Sequence, residues 1–484
     1  MRPVIAWFAP DLALVAATVT LFYCLFLFQG YRKLFRDSDA GWHIRTGESI
    51  LATGRLPRTD PYSFTRAGEP WVAWEWGADI AAGAAHRAAG LRGVALLYGV
   101  GIATGVWLWF RLHWALDGNF LMACVFSPLL LSTCNIHWLA RPHVLGWLFL
   151  LAALLYAETS RAPFGWRHAL TIAAFSALWA NVHASFFFAA IIALLYAAAR
   201  RLPWWAVAVA ALAPLANPYG WQLYAHVFRY LTDTELLSRI GEFQSFDFHT
   251  PGSGQIIATV ILGIAGGTLA LRLGRWEHFA LAMLISLLAL RSARALPLSA
   301  LLLLPIANAA ITRTFERDGV FRGFHAYAGR LRQLDRQMIG WMLAPAAIAA
   351  AYFLLRFVPV GFPPGEFPVA AYAMVPPEAR LFAPDKYGGY LIYRSAGTRK
   401  VFFDGRSDFY GAEFLKQYSR MVQLRPGWRA AWDSFHFTHA LVPNDYPLVE
   451  ALPQIGWQTV YRDGTATLLV DRARDAKSAG RVED

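Results

Sequence analysis

Charge is scarce in this 484-residue chain: 16% of its residues are Asp, Glu, Lys or Arg, while 57% are apolar. A soluble globular domain carries about 25% charged residues, so the balance points toward a membrane. Cysteine is scarcer still. Cys24, Cys124 and Cys134 lie in or beside apolar runs, and no later residue is a cysteine, which excludes a disulfide framework for the C-terminal part. The chain has no Gly-rich phosphate loop, no His/Cys spacing of a metal site and no nucleophile motif. Internal repeats and low-complexity tracts are lacking too. Anionic residues are outnumbered, giving a net charge of +12. The arginines are spread along the chain, mostly next to apolar runs, a pattern of topology anchors that gives no nucleic-acid surface.

What is present is apolar length. Runs 11–29, 119–133, 143–157, 254–271, 277–290, 295–311 and 338–355 contain few or no charges. A membrane span needs roughly 20 apolar residues. The 20 Trp and 19 Tyr suit membrane–water boundaries. Run 11–29 exceeds a signal-peptide core and lacks a small-residue cleavage site, so it reads as a retained helix. These runs predict a mainly α, polytopic helix bundle of about eleven spans over 1–358, with a large external loop at 31–90. A Pro-rich linker at 359–375 leads to a soluble α/β domain at 376–474 and a disordered tail at 475–484. Candidate strands in that domain are KVFFD, THALVPN and the hairpin WQTVYRDGTATLLVD with its Asp-Gly turn.

Loop arginines set the expected orientation. With a cytoplasmic N-terminus, Arg111, Arg161, Arg167, Arg200, Arg201, Arg272, Arg275 and the basic stretch 313–336 fall inside. This requires 168–199 to be two short helices broken at Asn181-Val-His183. Asp37, Asp39, Arg141, His143, His183, Glu242, Arg291, Arg294 and the C-terminal domain then share the external face.

Asp37 and Asp39 follow the first span in FRDSDAGWH. In an extended segment such side chains point the same way, as a general base and its partner or a divalent-cation pair would; helix capping is the plainer reading. Arg291 and Arg294 (LALRSARALP) sit between two apolar spans, where guanidinium groups suit a lipid phosphate. Snorkelling to headgroups is the alternative. Arg141, His143 and His183 can hydrogen-bond a phosphate or sugar hydroxyl, or else satisfy helix ends. Glu242 lies in an external loop long enough to fold over a site. Asp404-Gly405-Arg406 reads as a structural turn with an internal Asp–Arg pair.

The segments DSDAGWHIRTGESILATGRLPRTDPYSF and PWVAWEW, then ARPH, NVHASF, NPYGW and KYGGYLIYR…FFDGRSDFYG, resemble bacterial GT-C membrane glycosyltransferases over most of the chain. The resemblance implies a polyprenyl-phosphate-linked sugar donor and transfer, with inversion, to a glycan, lipid or protein acceptor at the periplasmic face of the inner membrane. It implies Asp39, three residues before Trp42, as the catalytic acidic residue. Asp37 would orient or bind a divalent metal, and Arg141, His143, His183, Glu242, Arg291 and Arg294 would bind substrate. The glutamate that follows the aspartate in some relatives is here Ala40, and no cofactor is called for with certainty. The competing class is a transporter or flippase of an anionic lipid, which would need polar residues through the membrane depth and paired symmetric halves.

Overall fold

The computed structural model describes residues 7–316 and 319–472; the tail expected to be disordered, 475–484, lies outside the described residues. Among the described residues, five helices are long and apolar enough to cross a membrane: Leu12–Lys33, Trp76–Ala115, Pro142–Thr159, Ser253–Arg272 and Ala293–Phe315. Shorter apolar helices at Phe120–Asn135, Ala184–Ala198, Trp204–Leu215 and Leu343–Phe357 pack with them. By length and composition, then, five spans stand where about eleven were expected, with four shorter helices beside them.

Local chemistry explains the ends and breaks. Asp11 caps the first helix by accepting the Leu14 N–H at 2.9 Å. Trp76–Ala115 bends at Ala89–Gly90, where Gly90 takes φ 60°, a conformation that costs glycine little. The expected break at 181–183 is present: Trp166–Val182 ends, and His183 is extended and caps the next turn through its ring. At the far end of helix Pro142–Thr159 from Arg141, Glu158 pairs with Arg275 (2.5 Å) and His278 (2.7 Å), and Arg275 pairs with Glu277 (2.6 Å). The Tyr196 hydroxyl donates to the same Glu158. This satisfied network fastens three helices at the end of the bundle opposite Arg141.

The C-terminal unit holds one four-stranded sheet in the order β1 (Leu381–Phe382), β2 (His439–Pro443), β4 (Ala466–Val470), β3 (Gln458–Arg462). β1 and β2 are parallel and the other pairs antiparallel. The expected hairpin is β3–β4: Asp463 accepts the N–H groups of Thr465 (2.7 Å) and Ala466 (2.9 Å) around the Asp-Gly turn. KVFFD departs from expectation. Its backbone pairs with the first loop, Val401 N–H donating to Tyr62 (2.9 Å) and Phe64 N–H to Val401 (3.0 Å), so it never joins the sheet. Phe402 and Phe403 are both buried, Phe402 on Phe382 and Phe437 and Phe403 on Tyr410 and Tyr418. A short continuous apolar run that buries both faces looks like a strand in sequence without needing sheet partners.

The stretch 359–375, expected as a linker, is packed. Phe362 and Phe367 are buried and each ring lies 5.3 Å from that of Tyr390. The first loop and the C-terminal unit also meet backbone to backbone. A Cβ on Gly41 would lie 2.0 Å from the Gly389 carbonyl oxygen, and one on Gly389 would lie 2.1 Å from that of Ser38. Gly41 and Gly389 therefore let helix Asp385–Arg394 cross helix Asp39–Thr53 at contact distance.

Candidate active site

Arg141 is the centre of the polar end of the bundle. It is the N-cap of helix Pro142–Thr159, held extended with proline at the first helical position. Its Nη1 lies 2.6 Å from Asp37 and 2.7 Å from Glu242, and its Nη2 lies 2.9 Å from Asp39. A planar fork can serve carboxylates in different directions at once, which an ammonium group cannot do with the same geometry. Arg294 adds a second cation 3.4 Å from Glu242 and stacks over Phe243. Glu242 itself is pinned in place, because the Ser292 hydroxyl donates to its carbonyl (2.9 Å) and Ala293 N–H to Gln244 (2.9 Å).

Asp39 begins helix Asp39–Thr53, and its N–H donates to Asp37 Oδ1 at 2.9 Å. Only 5% of Asp39 is exposed. Burial pushes its carboxyl up to about 8, opposed by Arg141 and reinforced by the Asp37 and Glu242 charges. Glu242 moves the other way: burial alone would raise it, but the Arg141 and Arg294 charges hold it below the usual carboxylate range. Three carboxylates and two guanidinium groups thus share one partly buried space, in which Asp39 is shifted up and Glu242 down.

The C-terminal unit closes this centre. Gly405 sits so near Asp39 that a Cβ there would lie 1.9 Å from Oδ1. The turn carrying it is held by Arg406, which is 2% exposed. Arg406 reaches Asp404 (2.7 Å) and, across to the first loop, Asp60 (2.8 Å), and it stacks over Trp71 (4.7 Å). Asp404-Gly405-Arg406 therefore holds the first loop and the C-terminal unit together, with the internal Asp–Arg pair expected of a structural turn.

Beside the arginine centre lies a second group of titratable residues. His43 Nδ1 is 2.5 Å from Asp79 Oδ1, and its Nε2 is 3.9 Å from Glu75. His183 Nε2 is 3.5 Å from the other Glu75 oxygen. Burial raises Glu75 to about 7, against the Arg294 and Arg141 charges. Burial first, then those same cations, keep His183 neutral, with its pKa lowered to about 3.

The structure thus gathers Asp37, Asp39, Arg141, Glu242 and Arg294 into one network and sets His183 beside it. His143 donates from Nε2 to the His137 carbonyl (2.8 Å), so its ring secures the loop ahead of Arg141. Arg291 is exposed and stands outside the network. Glu75, His43, Asp79 and His137 were not singled out from sequence. For His43 a signal existed: it lies one helical turn beyond Asp39. For Glu75 the signal was an isolated acid in the aromatic PWVAWEW. The carboxylates a divalent cation would need are closed around the Arg141 guanidinium, so this geometry suits an arginine-neutralised centre rather than a metal pair.

The described residues form a mainly helical bundle of apolar helices with a small C-terminal sheet. Over 89% of this chain and 69% of the other, it is similar to the crystal structure of the oligosaccharyltransferase from Archaeoglobus fulgidus in its apo form, with a TM-score of 0.52 and 10% identity. At that identity the likeness is one of fold. No family model matches the sequence, and no curated protein matches it.

Proposed function

We propose that the protein is a membrane glycosyltransferase that moves a sugar from a polyprenyl-phosphate-linked donor to an acceptor hydroxyl at the outer face of the cytoplasmic membrane, with inversion. The observation that carries this reading is the convergence on Arg141 of Asp37, Asp39 and Glu242, with Arg294 beside them. The acceptor oxygen attacks the anomeric carbon, the bond from that carbon to the phosphate oxygen breaks, and its electron pair leaves with the phosphate. Charge grows on that phosphate, where preorganised guanidinium groups stabilise it most. Arg141 and Arg294 hold the phosphate. Asp39 takes the acceptor's proton once Arg141 has turned toward the donor, and Asp37 and Glu242 keep the guanidinium groups aimed. Arginine placement supports the orientation, since Arg201 and Arg275 lie in the network at the opposite end of the bundle.

The test is donor consumption by the full-length protein in lipid nanodiscs, supplied with a polyprenyl-phosphate sugar. Asp39→Asn keeps the shape of the side chain and removes its proton affinity. It should bind donor as the unaltered protein does and lose transfer by a factor on the order of a hundred or more. Near-normal turnover of Asp39→Asn would remove Asp39 from the mechanism.

A further inference from the structure

Glu75 occupies the N-cap position of helix Trp76–Ala115, yet its side chain makes no capping hydrogen bond. A carboxylate at a helix start ordinarily accepts a backbone N–H there. This one is turned away, into a space walled by two histidines, and 8% of the residue is exposed. Neither neighbour is within ordinary hydrogen-bond distance: His183 Nε2 is 3.5 Å away and His43 Nε2 3.9 Å.

The proton position on the His183 ring follows from its other contacts. His183 Nδ1 accepts the Ser185 N–H at 3.1 Å, so it carries a lone pair and the ring proton is on Nε2. That Nε2 is buried without a hydrogen-bond partner, and the residue is 9% exposed. A buried donor left unmatched costs free energy, so it points to an absent acceptor. His43 Nδ1 faces Asp79 Oδ1, which fixes the ring with Nε2 toward Glu75. Above pH 7, where it is ionised, Glu75 is therefore a carboxylate acceptor standing next to a fixed N–H donor, with a gap between them.

One chemical group needs both at once. A hydroxyl donates its proton to a carboxylate while its oxygen accepts from an N–H. An anionic group would be repelled by Glu75, and an amine would leave the His183 donor unmatched. We infer that Glu75 and His183 form a subsite for a hydroxyl of a neutral, sugar-like acceptor, with His43 and Asp79 as positioning residues behind Glu75. This rests on the glycosyl-transfer reading and names the acceptor class within it. The donor phosphate would lie on the Arg141 and Arg294 side, and the acceptor would be held from the side of Glu75.

The experiment uses the full-length protein in nanodiscs with two probes, a panel of methyl hexopyranosides followed by saturation-transfer NMR and a polyprenyl phosphate followed by displacement of a labelled analogue. Glu75→Gln keeps the volume but removes the charge, and Glu75→Asp keeps the charge but withdraws it by one methylene. Both should weaken binding of the preferred hexoside by about tenfold or more, the range of a hydrogen bond to a charged group, with polyprenyl phosphate affinity unchanged. Equal hexoside binding by unaltered protein and both variants overturns the inference. So does an unaltered protein that binds the polyprenyl phosphate and no hexoside. If it binds neither probe, the glycosyl-transfer reading falls and the subsite falls with it.

Discussion

Replacing Gly405 with alanine would test whether the C-terminal unit seats on the Asp39 carboxylate. The added methyl would stand 1.9 Å from Asp39 Oδ1, 2.7 Å from its Cγ and 2.9 Å from Oδ2. Non-bonded heavy atoms settle near about 3.5 Å, so the two groups must part by roughly 1.5 Å. Asp39 cannot absorb this freely, because its Oδ2 is 2.9 Å from Arg141 and its N–H is bonded to Asp37. Moving the Gly405 turn instead would strain the Arg406 pairs with Asp404 and Asp60. Overpacking of this kind costs about 1–3 kcal/mol.

The clash needs both partners, which makes a double-mutant cycle decisive. Gly405→Ala should lower the unfolding midpoint and depress transfer. In an Asp39→Ala background the methyl meets empty space and its stability cost should nearly vanish. The coupling between the two sites should then come to about 1–3 kcal/mol, as expected for groups in direct contact. Denaturant unfolding of the four proteins in the same lipid measures it. Gly405→Ala costing the same in both backgrounds would refute the contact, and with it the idea that the C-terminal unit closes the centre.

Arg406→Met leaves the Asp404 and Asp60 carboxylates buried without their cation, at a cost of about 3–5 kcal/mol. Limited proteolysis should then cut the 359–375 strap while the helical bundle survives, and a cutting pattern like that of the unaltered protein would contradict this. A pH series on stability has a definite sign. Asp39 and Glu75 rise from ordinary values of 3.8 and 4.5 to about 8 and 7, so their contribution is complete below those ordinary values and is lost as pH rises through 7 to 8. Glu242 is depressed, so its contribution is present above 4.5 and is lost in acid. From these three groups stability should peak at roughly pH 4 and fall progressively toward pH 8, with Asp39→Asn flattening the alkaline side; parallel curves for the two proteins would count against the Asp39 assignment.

Much of the bundle was legible because long apolar runs and the Asn181–His183 interruption are properties of neighbouring residues. The β3–β4 hairpin was legible for the same reason, since its turn chemistry lies within the two strands it joins. KVFFD misled because burial on both faces comes from tertiary partners, here the first loop and the rings of the C-terminal core. In the candidate site, Asp37, Asp39, Arg141 and Arg294 stood out as charges beside apolar runs, which are expensive unless paired, and Glu242 as an acid in a long external loop. Their convergence on Arg141 was not legible, because it joins residues about a hundred positions apart in sequence. Glu75 escaped for another reason. At a helix start an acid reads as a cap, and only the structure reveals that it caps nothing.

The arrangement of charge bears on which substrates the proposed reaction would accept. Asp37, Asp39 and Glu242 outnumber Arg141 and Arg294 by one, and burial meets that deficit by raising the proton affinity of Asp39. A donor phosphate adds further negative charge to the same space. It can be held only by drawing Arg141 away from at least one carboxylate, and Asp39, alone on Nη2, is the one released without disturbing the Nη1 contacts to Asp37 and Glu242. The phosphate then raises the proton affinity of Asp39 further, making it a stronger base once ionised, so transfer should gain as pH rises toward 8 while stability declines. An acceptor carrying its own negative charge would deepen the deficit and meet Glu75 as well. A neutral hydroxyl adds none, needs only a place for its proton, and finds an N–H at His183 for its oxygen. This excess of carboxylates therefore selects against anionic acceptors.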